Sequence, residues 1–376
     1  MQERLGELLF VPPPSDTTWT GPAPDWKHPE IQLRRGVSID LNLPLFWYDP
    51  PWYSLPLDRA SALAVAVAQC GIPVSALRSD LAAADGVSPL HDRLSSGDET
   101  DGAAPHTPLA RILPYRPERY GLEHRDFDGA TFIDVRLTTE RDGFGRFAYS
   151  PAQLERWEGT SKDHPVAGGS WVASASFPPD VLSLQHLGTK LDQLRILAPT
   201  AAVFVSIEPW RLEQELPAVI ANNPDGVILR LESVATAGLE LAAITRQARL
   251  LANRAGAADL PLWIVPGPLV PDDAAKLIAL GATAVAIDPW CENLWEVAQG
   301  THQSAAARLG YTSLHAAKSS FLSQVVTDQL GPKMMRVAGL LHSIQNVPAA
   351  ERLTCLDTSW RKRLDLSMHI QSKLSS

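Results

Sequence analysis

The apolar positions of this chain fall in short, nearly continuous runs rather than in strict alternation with polar ones. The runs are rich in β-branched residues and are bounded by Pro, Gly or Asp, which is typical of parallel strands covered on both faces. Eight such runs occur: LPLFWY from Leu43, IPVSA from Ile72, ARILPY from Ala110, ATFIDVRL from Ala130, AVFVSIEP from Ala202, DGVILRLE from Asp225, LWIVPG from Leu262 and AVAIDP from Ala284. We therefore predict eight parallel strands.

Segments with apolar residues at helical spacing follow several of these runs. They are LDRASALAVAVAQCG after the first strand, WRLEQELPAVIANN after the fifth, GLELAAITRQARLLANRAG after the sixth and PDDAAKLIALGA after the seventh. Strand, helix and strand in succession imply right-handed crossovers, and eight strands favour a closed barrel over an open sheet. The predicted fold is α/β, a parallel eight-stranded (β/α)8 barrel of the TIM type.

The barrel is expected to occupy residues 36–300, with an extension at each end. Residues 1–35 are proline-rich and lack periodicity, which predicts an extended N-terminal arm. Residues 301–376 are apolar at helical spacing and are predicted to form a C-terminal helical appendage, in which Gly331-Pro332 should end one helix and begin the next. Because such extensions need a surface to cover, we expect a homo-oligomer, most simply a dimer.

The interval between the fourth and fifth strands, residues 138–200, is too long for an ordinary connection. A long insertion at the end of a barrel strand is usually an active-site cover or an interface. The sequence leaves both possibilities open.

Composition and charge exclude several classes of partner. The chain has 33 Lys and Arg against 42 Asp and Glu, a formal net charge of −9, and no dense basic cluster, so nucleic acid is not expected as a partner. No apolar run approaches the ~18 residues of a membrane span, so we expect no membrane partner and a cytoplasmic protein. Cys70, Cys291 and Cys355 form no C-x-x-C pair, so no metal or iron–sulfur site is expected.

Charged residues stand where the predicted strands end, which is the catalytic face of such barrels. Glu208 and Asp288 are two carboxylates, and Arg136 and Arg230 are two guanidinium groups, with Glu232 close by in sequence. These catalytic candidates could form an acid/base pair held by guanidinium forks. The alternative is a set of salt bridges that closes the barrel mouth.

The order of segments resembles the FMN-binding barrel domain of the glutamate synthase family over most of the chain. ELLFVP from Glu7 resembles the D-L-x-F-L-P entry of that family, and VSIDLNLPLF from Val37 is similar to its L-x-L-D-I-P-I-F. The most specific match is DAAKLIALGATAV from Asp273, which resembles A-D-V-A-K-A-L-A-L-G-A-D-A-V. The resemblance implies the same barrel fold and a flavin at its mouth.

At the flavin-contacting positions, however, this chain departs from the family pattern. By the resemblance, the cofactor-binding positions fall on Ser54, Ser75, Ser206 and Gly267, where the family has glycine-rich loops and, at 206, a lysine. Prolines on both sides of Gly267 remove backbone donors that a phosphate would need. The cysteine-rich iron–sulfur segment of the family is missing.

These departures lead to two functional hypotheses and one expectation about cofactors. We expect no cofactor, with FMN present only if the cofactor of the family is retained. The first hypothesis is a non-catalytic homologue, a pseudoenzyme that binds a protein partner or a small-molecule ligand. The alternative is a divergent but active FMN-dependent oxidoreductase of the glutamate synthase type, or an enzyme that uses the charged residues at the strand ends for another reaction. Flavin content discriminates between them.

Overall fold

The structure is a computed structural model with side chains. It describes residues 2–11, 31–32, 38–39, 41–52, 55–78, 110–116, 122–137, 148–149, 171–173, 177–232, 237–299, 319–345, 347 and 349–366.

Fourteen strands are present among the described residues. They are β1 (Leu8–Phe10), β2 (Ile31–Gln32), β3 (Ser38–Ile39), β4 (Leu45–Phe46), β5 (Val74–Ser75), β6 (Arg111–Tyr115), β7 (Phe132–Arg136), β8 (Ala148–Tyr149), β9 (Val172–Ala173), β10 (Ala202–Ile207), β11 (Gly226–Arg230), β12 (Leu262–Val265), β13 (Ala284–Ala286) and β14 (Leu353–Cys355).

Nine α-helices accompany the strands in the described part of the chain. They are α1 (Leu57–Gln69), α2 (His124–Phe127), α3 (Leu187–Leu197), α4 (Leu212–Ala221), α5 (Gly238–Arg254), α6 (Pro271–Ala279), α7 (Asp288–Gln299), α8 (Ser319–Ile344) and α9 (Thr358–Arg363).

Eight strands form one parallel sheet in the order β4, β13, β12, β11, β10, β7, β6 and β5. Next to the two outermost strands of this order, a parallel bridge joins Trp47 to Val74, and the Ser75 amide donates to the Trp47 carbonyl at 2.9 Å. The sheet is therefore a nearly closed barrel. All eight predicted strands and the α/β barrel fold are confirmed.

The chain divides into two compact units. The first unit consists of Met1–Leu45, Ile207–Pro289 and Leu330–Ser376, and the second unit consists of Phe46–Ser206 and Trp290–Gln329. In the first unit β11 and β12 are parallel neighbours, and β1 pairs with β14 in an antiparallel ribbon that joins the two ends of the chain. In the second unit the rings of Phe132 and Phe204 meet edge to face at 5.5 Å in the core.

One predicted helix boundary is wrong. The helix α8 runs without a break from Ser319 to Ile344, with Pro332 inside it. Pro332 gives up its own N–H hydrogen bond and crowds the carbonyl one turn earlier, but the further clash with the Cβ of the preceding residue does not arise, because that residue is Gly331.

Some predictions concern parts of the chain that the structure does not test. Most of the arm, residues 12–30, lies outside the described residues, as does most of the insertion at 138–200. The division at residues 35 and 300, the oligomeric state and the cytoplasmic location stay predictions. Within the described residues, none of the helices has both the length and the apolar character needed to cross a membrane.

Candidate functional site

A buried ion pair lies at the end of β7 in the second unit. The Arg136 Nε donates to Asp134 Oδ2 at 2.8 Å, and both side chains are almost completely shielded from solvent. They lie on the same face of the strand because they are two residues apart. In the register of the sheet, Arg136 is paired with Ser206 on the neighbouring β10.

Hydroxyl groups extend this pair into a directed chain of hydrogen bonds. The Ser206 hydroxyl donates to Asp134 Oδ1. Tyr48 Oη lies 3.2 Å from Ser206 Oγ. Because Ser206 has one hydroxyl hydrogen and gives it to Asp134, Tyr48 is the donor in this contact. The order of donation is Tyr48, Ser206, Asp134.

The guanidinium of Arg136 also contacts Tyr48, which follows β4, and Ser75, the last residue of β5. Its Nη2 donates to the Tyr48 carbonyl at 3.3 Å and to Ser75 Oγ at 3.5 Å. Its Cζ lies 4.3 Å from the centre of the Tyr48 ring, a cation–π distance. Asp49 Oδ1 is 3.7 Å from Nη1, which makes this partly exposed carboxylate a second, looser counterion.

A second buried arginine joins the insertion to this cluster. The Arg116 Nη1 donates to the carbonyl of Arg136 at 3.1 Å, and its Nη2 donates to the Tyr149 hydroxyl at 2.5 Å. Tyr149 belongs to β8, in the insertion that was expected to be a cover or an interface. One described part of the insertion therefore contacts the residues around Arg136.

A further group of polar residues in the second unit involves Tyr115, the last residue of β6. Its hydroxyl donates to Asp180, and the Lys190 ammonium lies 2.7 Å from the same carboxylate. Burial alone would raise the pKa of Asp180, but hydrogen bonds from Lys190 and Tyr115 outweigh it and lower that pKa below its usual value. We treat this group as structural, because each member is satisfied by the others.

The remaining candidate residues lie in the first unit. Arg230 donates to Glu232 Oε1 from Nε at 3.0 Å and from Nη2 at 2.7 Å. Gly267 has a φ of +74°, and a Cβ placed there would lie 3.5 Å from the Glu232 Cα, so this turn packs on Glu232. Glu208 is buried where β10 ends, and Asp288 is the first residue of α7.

The structure thus brings three predicted site residues together and leaves one outside the described residues. Arg136, Ser75 and Ser206 share one cluster, whereas Ser54 is not described. The acid/base roles of Glu208 and Asp288 stay predictions. Sequence reasoning missed Asp134, although an aspartate inside the apolar run ATFIDVRL, two residues before an arginine, was a usable signal.

The donors of the Arg136 cluster fit the chemistry of a flavin. The pyrimidine edge of that ring presents carbonyl and nitrogen acceptors, and its reduced form carries negative charge there. Arg136 offers N–H groups with a positive charge, and Ser75 adds a hydroxyl group. A group of three or more His, Cys, Asp or Glu side chains able to hold a metal ion is not found in the described part of the chain.

Comparison with known proteins gives matches to solved structures alone. No family model and no curated protein matches the chain. A mandelate oxidase variant with an FMN adduct is 15% identical, with a TM-score of 0.44 over 89% of this chain and 84% of that one. Another mandelate oxidase, with 2-hydroxy-phenylacetamide, is 14% identical, with a TM-score of 0.45 over 93% of this chain and 86% of that one. At this identity the likeness concerns the fold.

The expectation that the chain has no cofactor is corrected by the first of these structures, which holds an FMN adduct. We therefore withdraw that expectation. It assumed that each lost glycine or lysine removes a flavin contact. In the structure, Arg136 is paired with Ser206 in the register of the sheet, so a charged donor stands on the strand next to the position where the resemblance has a lysine. The matched proteins are mandelate oxidases, and the assignment to glutamate synthase stays a prediction.

Proposed function

We propose that this chain is a divergent flavin-dependent oxidoreductase in which Arg136 stabilises the pyrimidine edge of a bound FMN. The proposal takes up the second hypothesis from the sequence. One observation carries it: a buried guanidinium occupies the position paired with Ser206, where the glutamate synthase resemblance has a lysine. The cation that the sequence lacks at position 206 is therefore present one strand away.

The surrounding residues prepare Arg136 for this role. Asp134 accepts a hydrogen bond from the Nε of Arg136 and so fixes the plane of the guanidinium. The contacts of Nη1 and Nη2 are longer, and a ligand carbonyl would replace these. A planar, permanently charged donor suits a planar acceptor edge better than a mobile ammonium does. A bound FMN would accept a hydride, and a small-molecule substrate would donate it.

The hydrogen-bonded chain that starts at Tyr48 has a separate role. The Tyr48 hydroxyl hydrogen points to Ser206, so any further hydrogen bond at Tyr48 Oη is one that this oxygen accepts. Asp134 at the far end accepts from both Ser206 and Arg136, which fixes this direction of donation. We propose that the chain holds the Tyr48 proton in place while Arg136 contacts the cofactor.

Flavin titration of the purified protein tests the proposal. FMN added to the protein is expected to give a saturable change in flavin absorbance and fluorescence. Replacing Arg136 by Met removes a charge-assisted hydrogen bond and should weaken binding about tenfold or more, whereas Arg136→Lys should retain part of it. Asp49→Asn removes the looser counterion and should raise the reduction potential of the bound flavin.

Arg111 provides the matched control. It is a buried arginine at the opposite end of its strand, where its guanidinium donates to the carbonyls of Ala76, Asp126 and Asp128. Arg111→Lys should change the melting temperature, but the folded fraction of this variant should bind FMN with the same affinity as the wild type. A wild-type protein that takes up no FMN from an excess would reject the proposal.

A further inference from the structure

The first turn of α6 binds the backbone of the N-terminal segment. Asp273 Oδ1 accepts from the Leu5 amide at 2.7 Å, and its Oδ2 accepts from the Arg4 amide at 3.0 Å. Lys276, one turn later, donates to the Leu5 carbonyl at 2.8 Å and to the Glu3 carboxylate. Asp273 and Lys276 are both buried charges, and residues 3–5 supply polar partners to both.

The side chain of Arg4 continues from this anchor to the loop at the end of β12. Its Nη1 donates to the Pro266 carbonyl at 2.8 Å and to the Pro268 carbonyl at 3.0 Å. Asp273 Oδ2 also accepts from the Val270 amide at 3.2 Å. The loop and the N-terminal segment therefore share one carboxylate and one guanidinium.

The N-terminal segment also passes close to the start of α5. A Cβ on Gly238, the first residue of that helix, would overlap the carbonyl oxygen of Arg4 and lie 3.2 Å from the Leu5 amide nitrogen. Only glycine allows the segment to pass this close to the helix start. Residues 3–5 thus contact the start of α5 as well as the start of α6.

We propose that residues 3–10 act as a strap that holds the loop 266–270 in place through Arg4, so that the strap and the loop detach together while the sheet stays folded. The loop packs on Glu232 through Gly267, and Glu232 is the partner of Arg230. The strap thereby fixes one ion pair at the strand ends from outside the barrel. The residues that form these contacts all belong to the first unit, which does not contain Arg136.

Hydrogen exchange on variants of the full-length chain tests the strap. The loop has amides at Gly267, Leu269 and Val270, because its other positions are prolines. Arg4→Met should speed their exchange about tenfold or more, since both carbonyls lose a charged donor, while strand β12 keeps its protection. Arg4→Lys should restore most of the protection, because a single nitrogen makes both contacts in the structure.

Arg246 supplies the matched control. It ties the C-terminal segment to α5 by donating to the Leu364 carbonyl at 3.2 Å and to Asp365 at 3.0 Å. Arg246→Met should leave exchange of the loop 266–270 within twofold of the wild type. Equal acceleration in Arg4→Met and Arg246→Met, or no acceleration in Arg4→Met, overturns the proposal.

A measurement on the wild-type protein covers the case in which Arg4→Met fails to fold. In low concentrations of denaturant, the Leu5 amide and the loop amides should open with the same free energy and the same denaturant dependence, below those of β12. The strap proposal is overturned if the loop amides open independently of the Leu5 amide, or only together with those of β12.

Discussion

Arg136 and Asp134 form an ion pair within one five-residue strand, with 2.8 Å between Nε and Oδ2 and both side chains buried. A buried charge that loses its partner is strongly destabilising, whereas replacement of both partners by apolar residues is often tolerated. The pair therefore makes the stability of the second unit sensitive to single but not to double substitution.

We expect Asp134→Leu to lower the free energy of unfolding by about 3–5 kcal/mol, because it leaves the Arg136 guanidinium in an apolar environment. The double variant Asp134→Leu/Arg136→Met should recover a large part of that loss. Chemical denaturation of the wild type, both single variants and the double variant closes the cycle. Additive losses in the double variant would show that the two side chains do not act as a pair.

Two glycines with positive φ predict different costs for the same substitution. Gly281 has a φ of +117°, and a Cβ there would lie 2.6 Å from Arg249 Cγ. Gly256 has a φ of +76°, with open space around the added atom. We expect Gly256→Ala to cost about 1–2 kcal/mol for the left-handed backbone alone, and Gly281→Ala to cost more, by about 1–3 kcal/mol of overpacking.

Thermal unfolding of the two alanine variants measures this difference. Arg249 donates to the Gly281 carbonyl at 2.9 Å, so a displaced Arg249 also weakens that contact. Equal melting temperatures for the two variants would mean that the Arg249 side chain moves aside without loss.

The barrel could be predicted because parallel strands that are buried on both faces consist of nearly continuous apolar runs, which are recognisable in the local sequence. The eight runs and the four helices between them needed no long-range information. The prediction that the helix ends at Pro332 was wrong because it did not consider the preceding residue. Gly331 has no Cβ, so one of the clashes by which proline disfavours a helix is absent.

The candidate site was less accessible to sequence reasoning. Arg136 and Arg230 were identified as site residues, but Glu208 and Asp288 were proposed as the acid/base pair held between them. In the structure each arginine contacts a carboxylate two residues away on its own segment, Asp134 and Glu232 respectively. Spacing along a strand determines such pairs, whereas contacts across strands depend on the register of the sheet, which no local pattern specifies.

The ion pair between Asp272 and Arg336 predicts a pH-dependent contribution to stability. The hydrogen bond from Arg336 lowers the pKa of Asp272 below the usual aspartate value of 3.8, against the opposing effect of burial. A carboxyl group whose pKa is depressed by folding stabilises the protein above its unfolded pKa. That contribution is lost as the pH falls through the folded value.

We therefore expect Arg336→Met to lower the melting temperature slightly at neutral pH, by the equivalent of less than about 1 kcal/mol, since the pair is largely exposed. The difference from the wild type should shrink as the pH falls below 3.8. Asp272→Asn should remove the same pH-dependent part. A difference that stays constant through this range would exclude the carboxylate as its cause.

The ribbon of β1 and β14 is the surface that we propose for the expected homo-oligomer. Among the described residues it is a two-stranded sheet, which leaves strand edges for further pairing, and apolar side chains are exposed there, with Leu9 in β1 44% and Leu356, just after β14, 85% exposed. Both ends of the chain meet in this ribbon, which agrees with the expectation that the extensions take part in the contact. A second copy of the chain would cover both leucines.

Light scattering tests this interface through the mass in solution. The wild type is expected at twice the chain mass of 40.8 kDa, and Leu356→Asp should shift it towards the single-chain mass. Leu182→Asp is the matched control, because Leu182 is a 76% exposed leucine that belongs to the second unit and is not part of the ribbon. It should leave the mass unchanged. A wild-type mass of 40.8 kDa over a wide concentration range would rule out the dimer, and a dimer insensitive to Leu356→Asp would place its interface elsewhere.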